Sequence, residues 1–545
     1  MFDDAWIQKR QATEGAGAAW QALLAQGPAN QVLSRAQGDF AFAQTLADGS
    51  TVLAVDRFAI QTLCYRVVDG QLRVAERADT LADERTSIDP QAIFDYLYFH
   101  AIPSPRTIFK GVMRLPPGHV ATFAAGRMTV LPYWTPRFEP LRSASFNSLR
   151  EEFLADALQA VKDQLDGTRP ACFLSGGTDS STVAGLIGQA TGQGAASFSI
   201  GFEADGYDEM AYARLAAKHF KTEHHEYYVT PDDLVRSIPA VAAHHDQPFG
   251  NSSALPAYYC ALKAREAGVS RLLAGDGGDE LFGGNTRYAK QRLFGLYGLL
   301  PADLRSRVVE PFFSLGAVAR APLLKKGASY IEQARVPMPD RLQMYNLLLR
   351  MGMPQVLSPG LLARVDTGAP ARQQVKVYAS AATSSEIDRM LAFDWRYTLA
   401  ESDLPKVRNS TALAGVSVGF PLLDARLLAM SLSLPPNYKL RGLKLRWFFK
   451  QALRGFLPPQ ILTKKKQGFG LPFGLWATRH GALNALAVDS LRSLSTRGIV
   501  RPEFTQTLVR DHLPSHPGYY GEMVWILMML EQWLRAHAPD YRLAD

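Results

Sequence analysis

The chain has 545 residues, of which 47% are hydrophobic and 20% are charged, and its net charge is +8. This length predicts two to four domains, and the composition is typical of a folded protein rather than a disordered one. The 59 basic and 51 acidic residues include one dense basic run, at residues 464–466, which we interpret as a solvated face. A nucleic-acid-binding protein typically carries a longer basic stripe, so we expect no nucleic-acid partner.

Cellular location is indicated by the cysteines and by the apolar stretches. Cys64, Cys172 and Cys260 lie far apart without CxxC spacing, which gives no support for a disulfide framework or a zinc site and favours a reducing compartment. The N-terminus has no signal-like apolar stretch, and no apolar stretch approaches the length of a membrane span. We therefore expect a soluble, cytoplasmic protein with no membrane partner.

The first part of the chain, to about Tyr133, has the pattern of short strands. We predict strands at residues 40–42, 51–55, 71–74 and 120–123, each bounded by Gly, Asp or Pro. Three prolines between residues 132 and 142 predict a linker. From Phe146 onward apolar residues recur at helical spacing, at Leu149, Phe153, Leu154, Ala157 and Val161. We therefore predict two domains, 1–144 and 145–545.

The second domain begins with alternating strands and helices. Strands are predicted at residues 171–174, 196–200, 226–229 and 271–274, with helices at 181–188 and 209–219. Such alternation is typical of an α/β fold with a doubly wound parallel sheet, whose ligands bind at the carboxyl ends of the strands. From about Tyr288 helical patterns dominate, which predicts a helical extension.

A first candidate site, Ser-Gly-Gly-Thr-Asp-Ser at residues 175–180, lies where a predicted strand ends and a helix begins. Two glycines allow the backbone to approach an anion, and the free amides of a helix start point toward it. Hydroxyls at Ser175 and Ser180 add donors, and Asp179 is a ligand type suited to Mg²⁺. No Walker lysine follows, so this is not the common nucleoside-triphosphatase loop. Taken alone, the segment is also consistent with an ordinary turn.

A second candidate site, Gly-Asp-Gly-Gly-Asp-Glu-Leu-Phe-Gly-Gly at residues 275–284, follows another predicted strand. Its glycines and acidic residues disfavour a helix or strand and leave a sharp acidic turn as the alternative interpretation. The Asp-x-Asp spacing of an EF-hand calcium loop is missing. Because the two loops follow strands of one sheet, they can hold a metal-bound pyrophosphate between them.

These loops, with Ser-Phe-Ser-Ile-Gly-Phe at 197–202, closely resemble the ATP-pyrophosphatase domain of asparagine synthetases and related amide ligases. Further landmarks of that family occur in the same order over roughly residues 145–545, at 245–248, 420–424, 450–454 and 466–469. The resemblance implies that ATP adenylates a substrate carboxylate, that pyrophosphate leaves, and that an amine or ammonia attacks the acyl-adenylate. It implies ATP and Mg²⁺ as cofactors.

By motif position the resemblance assigns a role to each candidate residue. Lys450 would lie against the pyrophosphate, and Asp276 would orient or deprotonate the amine. Asp179 and Asp279 would bind Mg²⁺. The residues expected around the nucleotide are Leu174, Ser175, Gly176, Gly177, Asp179, Ser180, Ile200 and Gly275.

One departure from the family pattern bears on the substrate. Asparagine synthetases resembling this chain usually have Glu-x-Arg before the proline turn, whereas this chain has Ser417, Val418 and Gly419. A carboxylate and a guanidinium are both missing from the side expected to hold the acyl acceptor. This departure therefore argues against aspartate as the substrate.

The N-terminal domain resembles the second half of the family's glutaminase domain, an α+β fold of the N-terminal-nucleophile type. The matching segments are at residues 38–42, 56–58, 63–65, 108–112 and 115–119. Such a domain needs a cysteine at position 2, but this chain has Phe2, and the matching segments come early by family proportions. We expect a truncated, inactive β-sandwich remnant in which Cys64 is a buried core thiol.

Three functions remain open from the sequence. The first is an amide ligase of specialised or peptide biosynthesis, since β-lactam synthetases and lasso-peptide cyclases also have inactive amidotransferase domains. Its partners would be a carboxylate-bearing small molecule or peptide, an amine from the substrate itself or free ammonia, and a protein that handles a precursor or leader peptide. The second is an asparagine synthetase using ammonia. The third is a catalytically silent binding protein, which has no need of Asp179, Asp279 and Lys450 together.

Overall fold

The computed structural model describes residues 5–140, 145–298, 300–314, 325–464 and 470–543. The predicted motif at 466–469, and Lys465 and Lys466 of the basic run, lie outside these ranges. Within them, no helix is both long and apolar enough to cross a lipid bilayer. Lys464 does not lie on a solvated face as predicted, because it is largely buried and its Nζ lies 2.7 Å from Glu209.

The N-terminal part of the chain forms two antiparallel sheets. The four-stranded sheet has the order β1-β2-β6-β7 and the three-stranded sheet the order β4-β3-β5. Their strands are β1 Ala41–Thr45, β2 Thr51–Val55, β3 Cys64–Val68, β4 Gln71–Ala75, β5 Met113–Arg114, β6 His119–Ala124 and β7 Arg127–Pro132. All four predicted strands are present, whereas β3, β5 and β7 were not predicted.

The two sheets pack face to face, as a β-sandwich does. Leu53 and Ala121 of the larger sheet share an apolar cluster with Tyr65 of the smaller one. The opposite face of the larger sheet is covered by N-terminal helices, with Trp20 and Leu23 packed against Val52 and neighbouring side chains. The helices of this part are Ala5–Glu14, Ala16–Leu24, Ala29–Val32 and Pro90–Phe99. The predicted α+β sandwich is confirmed.

A five-stranded, all-parallel sheet forms the centre of the second part of the chain. Its order is β10-β9-β8-β11-β12, with β8 Ala171–Phe173, β9 Ala196–Phe202, β10 Glu223–Val229, β11 Arg271–Leu273 and β12 Ser417–Gly419. The chain starts in the middle at β8, winds outward to β10, and returns to β11 on the other side. The strand order therefore reverses between β8 and β11, and the predicted doubly wound sheet is confirmed.

Helices cover both faces of this sheet, because its strands are apolar on both sides. All seven residues of β9 are buried. Phe146–Gln164, Thr178–Thr191 and Met210–Phe220 share one apolar cluster with β8 and β11. Pro231–His244 and Ala254–Glu266 share the other cluster, on the opposite face. The helix at 178–191 begins three residues before the predicted 181, at Thr178.

The region after residue 285 is mainly helical, as predicted, apart from β12 and a short hairpin of β13 Leu440–Arg441 and β14 Lys444–Leu445. Its longer helices are Thr286–Gly298, Lys325–Arg335, Ala369–Ser380, Glu386–Asp394, Leu404–Leu413, Ala425–Ser433, Phe473–Arg479, Gly481–Ser495 and Pro517–His537. Its shorter helices are Ala302–Leu304, Glu310–Ser314, Leu347–Met351, Met353–Val356, Pro359–Leu362, Pro436–Lys439, Trp447–Ala452, Pro459–Thr463, Pro502–Thr507 and Leu513–Ser515. A π-helical segment, Trp395–Asp403, precedes Leu404–Leu413.

The two parts of the chain are joined by a shared core and by contacts of the described part of the predicted linker. Phe94 and Tyr96 of the N-terminal part belong to the same apolar cluster as Trp525, and the Tyr96 hydroxyl donates to the Ile526 carbonyl at 2.8 Å. The predicted linker also packs against the second part, because the Phe138 amide donates to the Ala382 carbonyl at 3.1 Å. As far as residue 140, the connection is therefore part of the folded molecule.

Candidate active site

The first candidate loop leaves the carboxyl end of β8 and enters the helix Thr178–Thr191. Gly176 has φ 69°, in the left-handed region, and a side chain there would overlap the backbone of Tyr212 and Ala213. The Ser175 amide donates to Oγ of Ser180 at 3.1 Å, and the two serine hydroxyls lie 3.0 Å apart. The loop is thus a tight turn closed on itself, with two hydroxyls at the start of the helix.

The second candidate loop leaves β11, the neighbour of β8. Its acidic turn is followed by the short helix Gly278–Phe282, which the glycine-rich composition did not predict. Gly277 has φ 101°, and its amide donates to Glu280 Oε2 at 3.2 Å, an acceptor that offsets the poor helix propensity of the segment. Asp279 therefore projects from the first turn of a helix rather than from an open loop.

The two loops approach each other so closely that only glycine fits between them. A Cβ on Gly275 would lie 2.7 Å from the Ser180 amide nitrogen, and a Cβ on Gly278 would overlap the Asp179 carboxylate. This approach follows from the strand order, since β8 and β11 are adjacent and their loops leave the same edge. The structure brings Ser175, Ser180, Asp179, Gly275 and Asp279 together.

Arg446, which the sequence did not identify, lies between the two predicted metal ligands. Its guanidinium donates to Asp279 Oδ1 at 2.6 Å, to Asp179 Oδ2 at 3.0 Å and to Thr178 Oγ1 at 2.8 Å, and it also pairs with Asp179 Oδ1. Burial opposes the charge of Arg446, but Asp179 and Asp279 outweigh that effect and raise its pKa. One signal was present in the sequence: Arg446 lies four residues before Lys450, one helical turn away.

Lys450 lies on the helix Trp447–Ala452, beside this pair of carboxylates. Burial lowers its pKa, and so does the charge of Arg446, whereas Asp279 and Asp179 act in the opposite direction. Lys450 also lines a cavity of about 1020 Å³, whose other basic residues are Lys218, His219 and Arg454. The lysine thus faces both the carboxylates and an open space large enough for a ligand.

Asp276 pairs with a lysine, whereas Asp179 and Asp279 pair with Arg446. Its Oδ1 lies 3.5 Å from Nζ of Lys406, which also pairs with Asp403 at 2.9 Å. Burial raises the pKa of Asp276, and the charge of Lys406 limits that rise. Lys406 is the second residue of this site that was not predicted, because no recognisable motif surrounds it in the sequence.

Ile200 lies on the sheet strand β9, and Leu174 directly follows β8. Both are buried, and the Leu174 carbonyl accepts a hydrogen bond from the hydroxyl of Ser199. Leu174 directly precedes the first loop and belongs to the apolar cluster of β8 and β11, whereas Ile200, on the adjacent strand β9, belongs to the cluster on the opposite face of the sheet. Gly277 is covered by Leu423, which follows β12, so the family landmark at 420–424 also borders the second loop.

The departure at residues 417–419 lies on the edge strand β12. Ser417 is exposed, and its hydroxyl donates to the Ser270 carbonyl at 3.2 Å. A Cβ on Gly419 would overlap Gln164 Oε1 and lie 2.9 Å from Arg271 Nη2, and these two side chains hydrogen-bond at 2.8 Å. The space beside Gly419 is therefore filled by the side chains of Arg271 and Gln164.

The residues present fit a metal-bound nucleotide. Mg²⁺ is usually held by one or two carboxylates together with substrate phosphates, and Asp179 and Asp279 converge on one guanidinium. Across the described ranges no three Asp, Glu, His or Cys side chains cluster as a metal site, so phosphate oxygens would have to complete the coordination. Gly275 and Gly278 allow the two loops to come close enough for both carboxylates to lie together.

The N-terminal part of the chain has no accessible thiol. Cys64, Cys172 and Cys260 are all buried, and these are the three cysteines of the sequence. Burial raises the pKa of the Cys64 thiol far above its ordinary value, so it remains protonated and unreactive. The prediction that Cys64 is a core thiol is confirmed.

Comparison with known proteins agrees with this geometry. The model of the asparagine synthase family matches residues 154–535, and that of the glutamine amidotransferase domain matches residues 19–134. Asparagine synthetase [glutamine-hydrolyzing] 1 of Bacillus subtilis is 24% identical over 486 residues, covering 88% of this chain and 74% of its own length.

Two further relatives show the range of proteins that this chain is similar to. A putative asparagine synthetase [glutamine-hydrolyzing] of Mycobacterium bovis is 27% identical over 521 residues, covering 92% of this chain and 77% of its own length. Amidase chyE of Penicillium rubens is 30% identical over 275 residues, covering 46% of this chain and 40% of its own length. The chain therefore belongs to the asparagine synthase family and is an ATP-dependent carbon–nitrogen ligase.

Proposed function

We propose that this ligase adenylates a carboxylate of a specialised small molecule or a peptide, as in lasso-type biosynthesis, and joins it to an amine. The observation that carries adenylation is the convergence of Asp179 and Asp279, from two neighbouring loops, beside Lys450. A carboxylate oxygen would attack the α-phosphorus of ATP, and the bond to pyrophosphate would break. The amine would then attack the acyl carbon, and AMP would leave.

Each side chain has a task in this sequence of steps. Ser175, Gly177 and Ser180 would bind the departing pyrophosphate at the start of the helix Thr178–Thr191. Lys450 would stabilise the negative charge that develops there, and a fixed cation in a partly buried site is effective in this role. Mg²⁺, held by Asp179 and Asp279, would neutralise part of the phosphate charge.

Asp276 is proposed to act on the amine. An amine or ammonia that attacks the acyl carbon must lose a proton to form an amide, and a buried carboxylate with a raised pKa is a suitable acceptor. The contact with Lys406 fixes the position of Asp276 and favours the ionised form of its carboxyl group. Asp276 therefore has an environment distinct from that of the two proposed metal ligands.

The substrate proposal rests on the edge strand. An arginine at position 419 would meet Gln164 and Arg271, so this chain offers no room for the guanidinium that the family pattern has there. The amine proposal rests on the buried cysteines, since glutamine hydrolysis by this chain would need an accessible thiolate. The amine would come from the substrate itself or from free ammonia, and a peptide substrate implies a partner protein that handles the precursor or its leader.

Asparagine synthesis from aspartate and ammonia is the second candidate. It is favoured by the names of the relatives in Bacillus subtilis and Mycobacterium bovis, both called asparagine synthetases. The three buried, unpaired cysteines suit a reducing cytoplasm in either case. The two candidates differ only in the substrate that must be supplied.

Pyrophosphate release separates these candidates. The protein is incubated with Mg·ATP and, in turn, with aspartate plus ammonia and with peptides that have a free N-terminus and an Asp or Glu side chain. Our proposal expects release with a peptide or specialised carboxylate and little with aspartate. Release that needs aspartate and ammonia would establish the second candidate. Pyrophosphate release that does not depend on an added carboxylate would contradict the adenylation chemistry.

A further inference from the structure

Arg446 occupies the space between the two carboxylates that we assign to the metal. Its two terminal nitrogens reach Asp179, Asp279 and the hydroxyl of Thr178, so one guanidinium joins both loops. Two carboxylates this close would repel each other without a cation between them, and the planar arginine fork matches carboxylates well. In the structure, therefore, the cation that holds these two side chains together is an arginine.

The surroundings of Arg446 fix it in this place. Its backbone has φ 52°, a left-handed conformation that is uncommon for a residue with a side chain. The Arg446 amide donates to the Gly283 carbonyl at 3.2 Å, and the guanidinium lies 4.2 Å from the ring centre of Phe449. Arg446 is only 5% exposed. Such an unfavourable backbone is maintained only when the neighbouring structure requires it.

The glycines around Arg446 leave the room that it needs. A Cβ on Gly284 would overlap the Asp279 carboxylate and come 2.7 Å from Cδ of Arg446. A Cβ on Gly278 would overlap the Asp179 carboxylate. The arginine, the two aspartates and the two glycines therefore form one closely fitted arrangement, not a chance surface ion pair.

We propose that Arg446 holds Asp179 and Asp279 in place of a metal in the nucleotide-free enzyme, and releases them only when phosphate arrives to receive its guanidinium. This inference rests on the proposed function of the site. The arginine and a divalent metal compete for the same carboxylate oxygens, so the metal alone would bind poorly. Phosphate is an equally good bidentate partner for arginine, so the metal and the nucleotide would be accepted together.

The first test measures the binding of Mn²⁺ in the absence of nucleotide, and electron paramagnetic resonance detects the bound ion. We expect Arg446→Met to bind Mn²⁺ about tenfold more tightly than the wild type, because two carboxylates lose their competing cation. Arg441→Met is the matched control, since Arg441 is exposed and also stacks on an aromatic ring, 4.5 Å from Trp447. Equal or weaker Mn²⁺ binding in Arg446→Met would overturn the inference.

The second test measures binding of the Mg²⁺ complex of α,β-methylene ATP by calorimetry. This analogue cannot be cleaved between the α- and β-phosphates, so no acyl substrate is required. We expect Arg446→Met to bind it about tenfold more weakly, because the guanidinium no longer meets the phosphates. The two effects of one substitution thus have opposite signs, which a purely structural role of Arg446 does not produce. Unchanged affinity for the analogue would also overturn the inference.

Arg446→Lys covers the case in which the methionine variant fails to fold. Lysine keeps the charge but loses the fork, so we expect both effects with the same signs and smaller size, about threefold each. No change in either affinity would contradict the inference. Both tests work without a carboxylate substrate, so they stand apart from the pyrophosphate assay that tests the proposed function.

Discussion

Two carboxylates and two basic side chains meet where the loops after β8 and β11 approach each other. Asp179 and Asp279 pair with Arg446, and Lys450 lies one helical turn beyond Arg446. The opposite charges offset part of the desolvation cost of holding four charged groups in a partly buried site. Removal of one member therefore changes the charge of the whole site as well as one contact.

Asp279→Asn tests the metal assignment. An amide is a much weaker ligand for Mg²⁺ than a carboxylate, so we expect kcat to fall by about 100-fold or more while the fold is kept. Pyrophosphate release and a thermal melt are the two measurements. Asp540→Asn makes the same chemical change at an exposed site and should retain full activity. Full activity of the Asp279 variant would refute its role as a metal ligand.

His245 gives the protein a defined acid sensitivity. Burial lowers the pKa of its imidazole to about 3, and the charges of His244, Arg77 and Arg408 act in the same direction. The unfolded chain binds the proton near pH 6.5, so stability is lost as the pH falls below that value. Between pH 8 and pH 5 the loss from this one group is about 2 kcal/mol.

The measurement is urea unfolding of the wild type and of His245→Gln at both pH values. Glutamine keeps a polar group facing Asn409, whose Nδ2 lies 3.3 Å from the imidazole Nδ1, but it does not titrate. We expect the variant to lose about 2 kcal/mol less than the wild type on acidification. The same pH dependence in both proteins would show that His245 is not the group responsible.

At the scale of elements, the turn after β8 positions the site through its backbone. Gly176→Ala places a side chain against the backbone of Tyr212 and Ala213 and forces alanine into φ 69°. We expect the free energy of unfolding to fall by at least about 2 kcal/mol. Gly188→Ala in the adjoining helix is the control, because its nearest neighbour would be an ordinary contact at 3.8 Å. Equal stability of the two variants would contradict this view of the turn.

The two loops were predictable because their signal is local. Glycine, serine and aspartate follow directly on short apolar strands at residues 171–174 and 271–274, and the parallel sheet brings such strand ends to one edge. The strand β12 was missed because Ser417, Val418 and Gly419 have no strand pattern, and they become a strand only by pairing with β11. The helix Gly278–Phe282 was missed because its stability depends on surrounding contacts, not on propensity.

The contacts of Arg446 could not be derived from the sequence for a similar reason, since its position four residues before Lys450 was the one signal present. Its left-handed backbone at a non-glycine residue has no composition signal, and its partners lie 267 and 167 positions away in the chain. Lys450 was identified only because a family motif surrounds it. The resemblance thus supplied the chemistry of the site, whereas the contacts that hold the site together required the structure.

At the scale of the whole molecule, a buried ionic network connects the two parts of the chain. Glu401, in the π-helical segment Trp395–Asp403, pairs with Arg114 at 2.5 Å and with Arg396, and it accepts from the Ser104 hydroxyl at 2.7 Å. Arg114 and Ser104 belong to the N-terminal part. Burial opposes ionisation of Glu401, but the two arginines outweigh it and lower its pKa. The network therefore joins the N-terminal part to the ligase part through buried charged contacts.

Glu401→Gln tests this connection. The substitution keeps the shape of the side chain and leaves two buried guanidinium groups without a counter-charge, so we expect a loss of about 3 kcal/mol in unfolding free energy. Urea unfolding measures it, and Glu503→Gln at an exposed position should change stability by less than about 0.5 kcal/mol. A loss below about 1 kcal/mol for Glu401→Gln would show that the network contributes little.

Transfer of an oxygen isotope tests the central claim most directly. A substrate that supports pyrophosphate release is labelled with ¹⁸O in its carboxylate, and the AMP formed in the complete reaction is analysed by mass spectrometry. If the carboxylate attacks the α-phosphorus and the amine then attacks the acyl carbon, the AMP carries one ¹⁸O atom from the substrate. Unlabelled AMP, or formation of ADP and phosphate in its place, would contradict adenylation by this chain.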